Sequence, residues 1–525
     1  MPLTKHEKFF LSAAIVWGVF LRLLFLDTVP YGIEMEEAGI LVWGEKTIRE
    51  ARLLLYVPDG AEWENLPGVI FYLLRGLFGG VFRLTPTLLS LLELAVLFAF
   101  VRKLLNERSA WIATALVALC PWHFFYSRIS GTSVGVGTLL MLGVLYKDHP
   151  GWKAVGRHAF GLLYYTTYRL LALRLALEYA YRRSRRGLFV LGGAGVLVIA
   201  LLFFSENPIS KFFLRGAHHF DNPAVKLDVP RNFFYSTFGS VLPVPSVYEA
   251  STSFFLADYV HSGFVRALGG HPPLGWGFAM LAAFAALLAV YATVRRSHRA
   301  AISAGVRREL GFLVGMLLCL GAFGPQFSRT LTLLPFLALL TVWGLDVLRA
   351  KVPARAFQVG LAMALISTGW SQWVTWRGMR DRALMEPVFH GRYRDAAEYL
   401  SAVIPNADED TVYLLAYQGF VPAAYWGRQF RKFSVVPPQE PEAFAADLNA
   451  RAAGRPQYVA LLNDAPGGKE YGSSAEAWET LEGMMAQLEA RSEILEDRPL
   501  RFNGEVAGRL LKVQWTYQTY ANRTR

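Results

Sequence analysis

The chain has 525 residues, 54% of them apolar and 18% charged, and its mean hydropathy is +0.30. A composition this apolar exceeds what a folded surface of its own can hide from water, so lipid is the expected solvent for much of the chain and a string of soluble domains is excluded. The net charge of +12 does not indicate nucleic acid, because the basic residues form short clusters between apolar runs rather than one polar face. Cys120 and Cys319 each sit inside an apolar run, which supports neither a disulfide framework nor a thiolate metal site.

The first apolar run, about 9–26, follows Lys5 and Lys8 and has no small-residue cleavage pattern before Pro30, so it is expected to stay as a first membrane helix. Three carboxylates follow at once in "GIEMEEAGI": Glu34, Glu36 and Glu37. In "MEEAGILVWGEKTIREA" the residues Ile40, Trp43, Thr47/Ile48 and Ala51 recur at helical spacing, which predicts a helix on the membrane surface with Glu36 and Glu37 at its start. Two roles suit those carboxylates there. They favour the positive end of the helix dipole, and a carboxylate within reach of an acceptor hydroxyl is a general base.

Segment 66–82 contains Pro67, Gly68, Arg75, Gly76, Gly79 and Gly80 and makes a poor straight helix. Charge decides its role. The clusters Arg102/Lys103/Arg108, Arg182/Arg183/Arg185/Arg186, Arg295/Arg296/Arg299/Arg307/Arg308 and Arg349/Lys351/Arg355 all fall on the cytoplasmic side only if 66–82 is re-entrant or interfacial. With segments 85–104, 109–126, 130–147, 151–166, 168–181, 187–204, 273–294, 309–325, 330–348 and 354–376, the expectation is 11 spans, the N-terminus inside and the C-terminus outside. The host membrane is then a cell inner or plasma membrane.

The same topology gathers 27–84, the Ser127/Arg128 turn, 205–271, the 326–329 turn and everything after 376 on the external face. Arg128 in "CPWHFFYSRISGT" and Arg329 in "GPQFSRTLTLLP" each stand at an external helix end, where an arginine is either a snorkelling anchor or a phosphate clamp. "LLYYTTYRLLAL" places Tyr164, Tyr165, Tyr168 and Arg169 at a tight external turn. The long loop 205–271 mixes Lys211, Arg215, His218, His219, Asp221 and Arg231 with aromatics, the combination that stacks on sugars and also forms an ordinary interfacial belt. His218, His219 and Asp221 could suggest a divalent metal, but adjacent loop histidines rarely converge on one ion, and no cofactor is implied.

Residues 377–525 change in character. "DTVYLLAY", "QYVALLND" and "VAGRLLKVQ" are expected to be strands, "RYRDAAEYLSAV" and "AEAWETLEGMMAQLEARSEIL" amphipathic helices, together a small external α/β domain after the membrane domain 1–376. No phosphate-binding loop, nucleophile elbow or H-E-x-x-H pair occurs, so ATP-driven transport, α/β-hydrolase chemistry and zincin proteolysis lack their usual support.

The order of "LRLLFLDTVPYGIEMEEAG", a surface helix, the "NLPGVIFYLLRG" to "CPWHFFYSR" stretch, "YYTTYRLLAL", "NPISKFFLR" and "SRTLTLLP" resembles the C-type multi-spanning (GT-C) glycosyltransferases. Within them it is most similar to the bacterial and archaeal branch of the dolichyl-phosphate-mannose protein mannosyltransferase family, which includes the aminoarabinose transferase of lipid A. The resemblance implies a polytopic α-helical membrane enzyme that moves a sugar from a polyprenyl-phosphate donor to a protein or lipid acceptor on the external face. It puts the base at Glu36, followed by Glu37, where the family usually has Asp. It puts donor phosphate near Arg128, Arg329 and Arg215, and substrate near Tyr165, Arg169, His218, His219, Asp221 and Arg231. Two other readings stand beside it: a catalytically degenerate membrane scaffold, and a transporter of lipid-linked sugars, for which ionisable groups at mid-bilayer would be the sign.

Overall fold

A computed structural model of the chain describes residues 3–26, 28–33, 35–51, 54–55, 65–77, 83–129, 135–149, 151–165, 167–205, 267–294, 303–323, 331–389, 391–404, 412–415, 434–436, 440–452, 455–462, 475–502 and 505–515. It divides into two compact units, Met1–Val29 with Ile40–Arg380, and Pro30–Gly39 with Asp381–Arg525.

The first unit is helical. It opens with α1 (Lys5–Leu23), α2 (Met35–Arg49, joining at Ile40), α3 (Leu66–Leu77), α4 (Leu84–Leu104), α5 (Glu107–Leu119), α6 (Pro121–Tyr126) and α7 (Val136–Leu145). It continues with α8 (Trp152–Tyr164), α9 (Tyr168–Tyr181), α10 (Arg185–Phe204), α11 (Trp276–Val294), α12 (Ala304–Phe323), α13 (Leu334–Arg349) and α14 (Ala354–Arg380). Local chemistry sets the ends. Thr4 Oγ1 accepts from Glu7 N at 3.2 Å while the Glu7 carboxylate accepts from Thr4 N at 3.0 Å, a capping box that starts α1. Asn106 accepts from Ser109 N at 2.9 Å to start α5, and Pro121, lacking an N–H, breaks α5 from α6.

Among the described residues, four helical stretches are long and apolar enough to cross a bilayer: Leu84–Leu104, Arg185–Phe204, Trp276–Thr293 and Leu331–Arg349. α10 shows why lipid is needed. Val190, Ala194, Val198 and Leu202, four residues apart, are buried, whereas Phe189, Val196 and Phe203 are 78%, 69% and 73% exposed. Surface of that kind is stable only against hydrocarbon. α13 is the opposite case, buried along most of its length between α5 and α11. The expected short spans 151–166 and 168–181 appear as α8 and α9, of 13 and 14 residues.

Segment 66–82 contributes α3, whose 12 residues rise about 18 Å against a hydrocarbon core of about 30 Å. It crosses α2 at two glycines. A Cβ at Gly44 would lie 2.2 Å from the carbonyl oxygen of Gly68, and one at Gly68 would lie 2.4 Å from that of Ile40. This crossing sets which residues of α2 pack inside the unit. Gly44, Glu45 and Thr47 are buried with Ile40 and Leu41, while Ile48 and Ala51, placed on the apolar face by the sequence, are exposed.

The second unit adds α15 (Arg382–Phe389), α16 (Gly391–Val403), β1 (Val412–Leu415), β2 (Ser434–Val436), α17 (Pro441–Ala452), β3 (Gln457–Leu462), α18 (Ala475–Arg491), β4 (Ser492–Phe502) and β5 (Glu505–Trp515). Its sheet has the order β2-β1-β3-β5-β4, with β1 parallel to β2 and β3, and β5 antiparallel to β3 and β4. Phe444 and Leu448 of α17 and Met484 and Leu488 of α18 pack with Val459, Leu511 and Val513 of the sheet. The helix expected to run through "SEIL" stops at Arg491. Those residues instead begin β4, where Ile494 pairs with Val513 and the ladder runs on to Phe502 opposite Glu505.

Candidate functional site

The end of α1 and the loop after it present four carbonyls, of Leu21, Arg22, Phe25 and Val29, to one side chain, and last-turn carbonyls lack helical partners. Arg128, in the turn after α6, fills that need. Its Nη1 donates to the carbonyls of Leu21 (2.9 Å) and Arg22 (2.8 Å), its Nη2 to Phe25 (2.9 Å) and Val29 (2.8 Å), and its Nε again to Val29 (3.0 Å). The guanidinium is fully buried and 5.9 Å from the Phe124 ring centre. A cation at a helix C-terminus is also favoured by the helix dipole. Phe25 takes a left-handed φ of 52° inside this clasp, a conformation that costs a non-glycine residue about 1 kcal/mol or more and is held by the bonds around it.

Beneath Arg128 lies a polar string through the apolar interior. Arg22 donates from Nη1 to the carbonyls of Gly18 (2.7 Å) and Ala118 (2.6 Å), and its Nη2 is 2.8 Å from His123 Nδ1. On the far side of the imidazole, His123 Nε2 is 4.0 Å from Glu93 Oε2. Glu93 is packed hard against α7, where a Cβ at Gly137 would lie 2.1 Å from its Oε1. Arg83 is fully buried too, and the single Thr87 hydroxyl lies 2.9 Å from both the Arg83 carbonyl and the Ser127 carbonyl, which share its proton and tie α4 to the turn that carries Arg128. Burial, then the charges of Arg83 and Arg22, lower the Arg128 pKa from its ordinary value. Three buried guanidinium groups therefore share this end of the helical unit, and Glu93 is the carboxylate that their string reaches. Sequence reasoning gave Arg22, Arg83, His123 and Glu93 no part in the site. Their common signal was a charged or polar residue inside or at the rim of an apolar run.

The acidic stretch belongs to the second unit. Ile33 N donates to the Phe389 carbonyl at 2.7 Å, and Tyr31 Oη donates to Asp395 Oδ1 at 2.6 Å. Arg382, paired with Asp395, lies 4.3 Å from the Tyr31 ring centre, and Arg394 lies 5.1 Å from it. Gly32, at φ 93°, passes so close to α15 that a Cβ would meet the Phe389 carbonyl oxygen at 2.1 Å. This strap delivers the chain to the first turn of α2. Glu37 is fully buried there, and the backbone of Glu36 is in the same turn. The Glu36 side chain and all of Glu34 lie outside the described residues, as do Arg215, His218, His219, Asp221, Arg231 and Arg329.

Of the tyrosine turn, Tyr165 is buried and Arg169 half-buried at the start of α9. Tyr168 is a core residue, its Oη 2.9 Å from His158 Nδ1 and its ring against Gly161. The Tyr164 hydroxyl approaches Gly135, 3.4 Å from where a Cβ would stand, at the start of α7. Among the described residues no group of three or more His, Cys, Asp or Glu side chains could hold a metal ion.

No protein-family model matches the chain, and no curated protein matches it by sequence. Solved structures do match in three dimensions. ArnT from Cupriavidus metallidurans in the apo state aligns with a TM-score of 0.54 at 14% identity, over 96% of this chain and 97% of that one. The same protein bound to undecaprenyl phosphate aligns with a TM-score of 0.53 at 13% identity, over 97% and 98%. With the lipid-suited outer surface of its helices, this likeness makes the chain a polytopic α-helical membrane protein of GT-C-like fold carrying a small C-terminal α/β unit.

Proposed function

We propose that the chain is a membrane glycosyltransferase that moves a sugar from a polyprenyl-phosphate donor to an acceptor hydroxyl on the external face, with residues 1–376 as the transferase domain and 377–525 as an external domain. The observation that carries this reading is the gathering of Arg22, Arg83 and Arg128, all fully buried, at one end of a GT-C-like bundle. Buried positive charge of this kind creates a potential suited to an anionic lipid phosphate. The structural neighbour bound to undecaprenyl phosphate supports the same class of ligand.

In the proposed reaction the acceptor oxygen attacks the anomeric carbon, its proton passes to Glu36, and the bond from that carbon to the phosphate oxygen breaks. Single displacement inverts the configuration. The departing polyprenyl phosphate carries negative charge, which Arg329 and Arg215 meet directly and the buried arginines offset through their field. Arg128 spends its donors on five carbonyl contacts, so its proposed part is to fix the exit of α1 and to supply charge. Glu in place of the family's usual Asp reaches about 1 Å further, a difference that on a fixed backbone costs on the order of a hundredfold in rate. The proposal therefore requires the strap before α2 to set the carboxylate back.

Transport receives less support. Several charged groups in or beside the helices are paired, Arg174 with Glu309 and Lys147 with Glu178, and Arg22 is hydrogen-bonded to His123, which is the arrangement of structural rather than mobile charge. The test is release of polyprenyl phosphate by the purified chain from a panel of polyprenyl-phosphate sugars with lipid and protein acceptors. No release from any donor would replace the transferase reading by that of a non-catalytic scaffold.

A further inference from the structure

Away from the Arg128 end, α9 and α12 enclose a cavity of about 520 Å³ whose wall includes Arg174, Glu178, Arg182, Arg308 and Phe312. Four cations converge there on one carboxylate. Glu178 accepts from Lys147 Nζ at 3.0 Å and from Arg182 and Arg308 at 2.7 Å, with Arg174 at 3.9 Å. Arg174 is paired with Glu309, and Arg182 also reaches Asp148 at 3.2 Å. Among the described residues, four positive charges thus face three carboxylates. The two guanidinium groups at the rim, Arg182 and Arg308, stay 39% and 38% exposed.

The rest of the wall is apolar and open to the surroundings of the bundle. Leu177 and Tyr181 are largely exposed, and a Cβ built at Gly311 or Gly315 meets nothing within 4 Å, so these two glycines one turn apart leave a furrow along α12. Rim cations above an apolar furrow match the two ends of a phospholipid: phosphate for the arginines, an acyl chain for the furrow. A tyrosine at such a rim sits where ring and hydroxyl meet headgroup and hydrocarbon. Basic pockets between membrane helices are known binders of anionic headgroups. A soluble anion would use the arginines and leave the furrow without purpose.

We propose that the cavity between α9 and α12 binds an anionic phospholipid, its phosphate held by Arg182 and Arg308 and one acyl chain lying along Gly311 and Gly315. The site is separate from the proposed transfer chemistry and does not depend on it. Arg183, Arg185, Arg186 and Arg307 stand beside Arg182 and Arg308 in the sequence, and by the positive-inside rule this basic end faces the cytoplasmic leaflet.

The test uses the purified full chain, stripped of lipid in mild detergent, with thermal melting and native mass spectrometry as readouts. Phosphatidylglycerol should raise the melting temperature and stay bound in the gas phase, while phosphatidylcholine and inorganic phosphate do neither. Arg182→Gln with Arg308→Gln should weaken the apparent phosphatidylglycerol affinity at least tenfold. Gly315→Leu should do the same with every charge intact, and the open space at that position lets the fold accept it. Equal responses to the two lipids, or unchanged binding in Gly315→Leu, would overturn the proposal. A melting shift reproduced by inorganic phosphate alone would assign the rim to a soluble anion and overturn it as well.

Discussion

Arg128 donates twice to the carbonyl of Val29, from Nε at 3.0 Å and from Nη2 at 2.8 Å, and Val29 is the last residue of the first unit before the strap that leads to Glu36. One side chain from the turn after α6 thereby determines where the chain leaves α1. Arg128 thus acts on the exit of α1 through the backbone, without needing a contact with substrate.

Arg128→Met should strip the buried carbonyls of Leu21, Arg22 and Val29 of this donor, while Phe25 keeps its bonds from Thr28 N and Val29 N, a loss of about 3–5 kcal/mol. Arg128→Lys keeps the charge at the helix end with fewer donors and should fall between. Melting in detergent reads the order. A Met variant that melts like wild type yet fails to bind donor would mean that Arg128 meets the phosphate directly.

Glu36→Gln should lower transfer by about 10²–10⁴-fold if that carboxylate takes the acceptor proton. Glu36→Asp tests reach, and on a backbone already set back for Glu it should be slower than wild type. Glu37 is fully buried in the same turn, so Glu37→Gln should act on melting more than on rate. Equal turnover in wild type and Glu36→Gln would remove Glu36 from the mechanism.

Gly137→Ala puts a methyl 2.1 Å from Glu93 Oε1, which requires the carboxylate or a helix to move. A destabilisation of about 1–3 kcal/mol is expected, the usual range for overpacking. In a Glu93→Ala background most of that penalty should vanish, a coupling of about 0.5–3 kcal/mol in a double-mutant cycle. Additive effects would show that the two residues do not meet.

In the α/β unit, the hydrogen bond from Arg509 holds the Asp497 pKa below its usual value. A depressed carboxylate stabilises the fold above its unfolded pKa, and that stability is lost as pH falls through the folded value. Both side chains are more than two-fifths exposed, so the pair is worth under about 1 kcal/mol. Amide protection factors at Leu510 and Leu511, referred to the intrinsic exchange rate at each pH, should fall on acidification below the usual Asp range. Asp497→Asn should remove most of that dependence, and the same profile in the variant would assign it elsewhere.

Much of the second unit was legible because its strands are short apolar runs between polar stretches. "QYVALLND" became β3 and "VAGRLLKVQ" lies in β5. The start of β4 was misread because Met484, Met485 and Leu488 set a helical period that "SEIL" seemed to extend, whereas pairing of Ile494 with Val513 overrides it. Asn503-Gly504, between Phe502 and Glu505, was the hairpin signal that could have placed it.

The sequence by itself determined the membrane class, the order of apolar segments, the α/β character of the C-terminal part and the presence of carboxylates just after the first helix. Those follow from composition, run length and charge, which are one-dimensional properties. Only the tertiary structure decided that Arg128 closes the end of α1, that Arg22, His123 and Glu93 meet from three helices, and that α2 buries the face with Gly44. In a membrane helix the lipid side and the core side are both apolar, so periodicity no longer says which face turns inward, and the pairing of buried charges depends on which helices become neighbours.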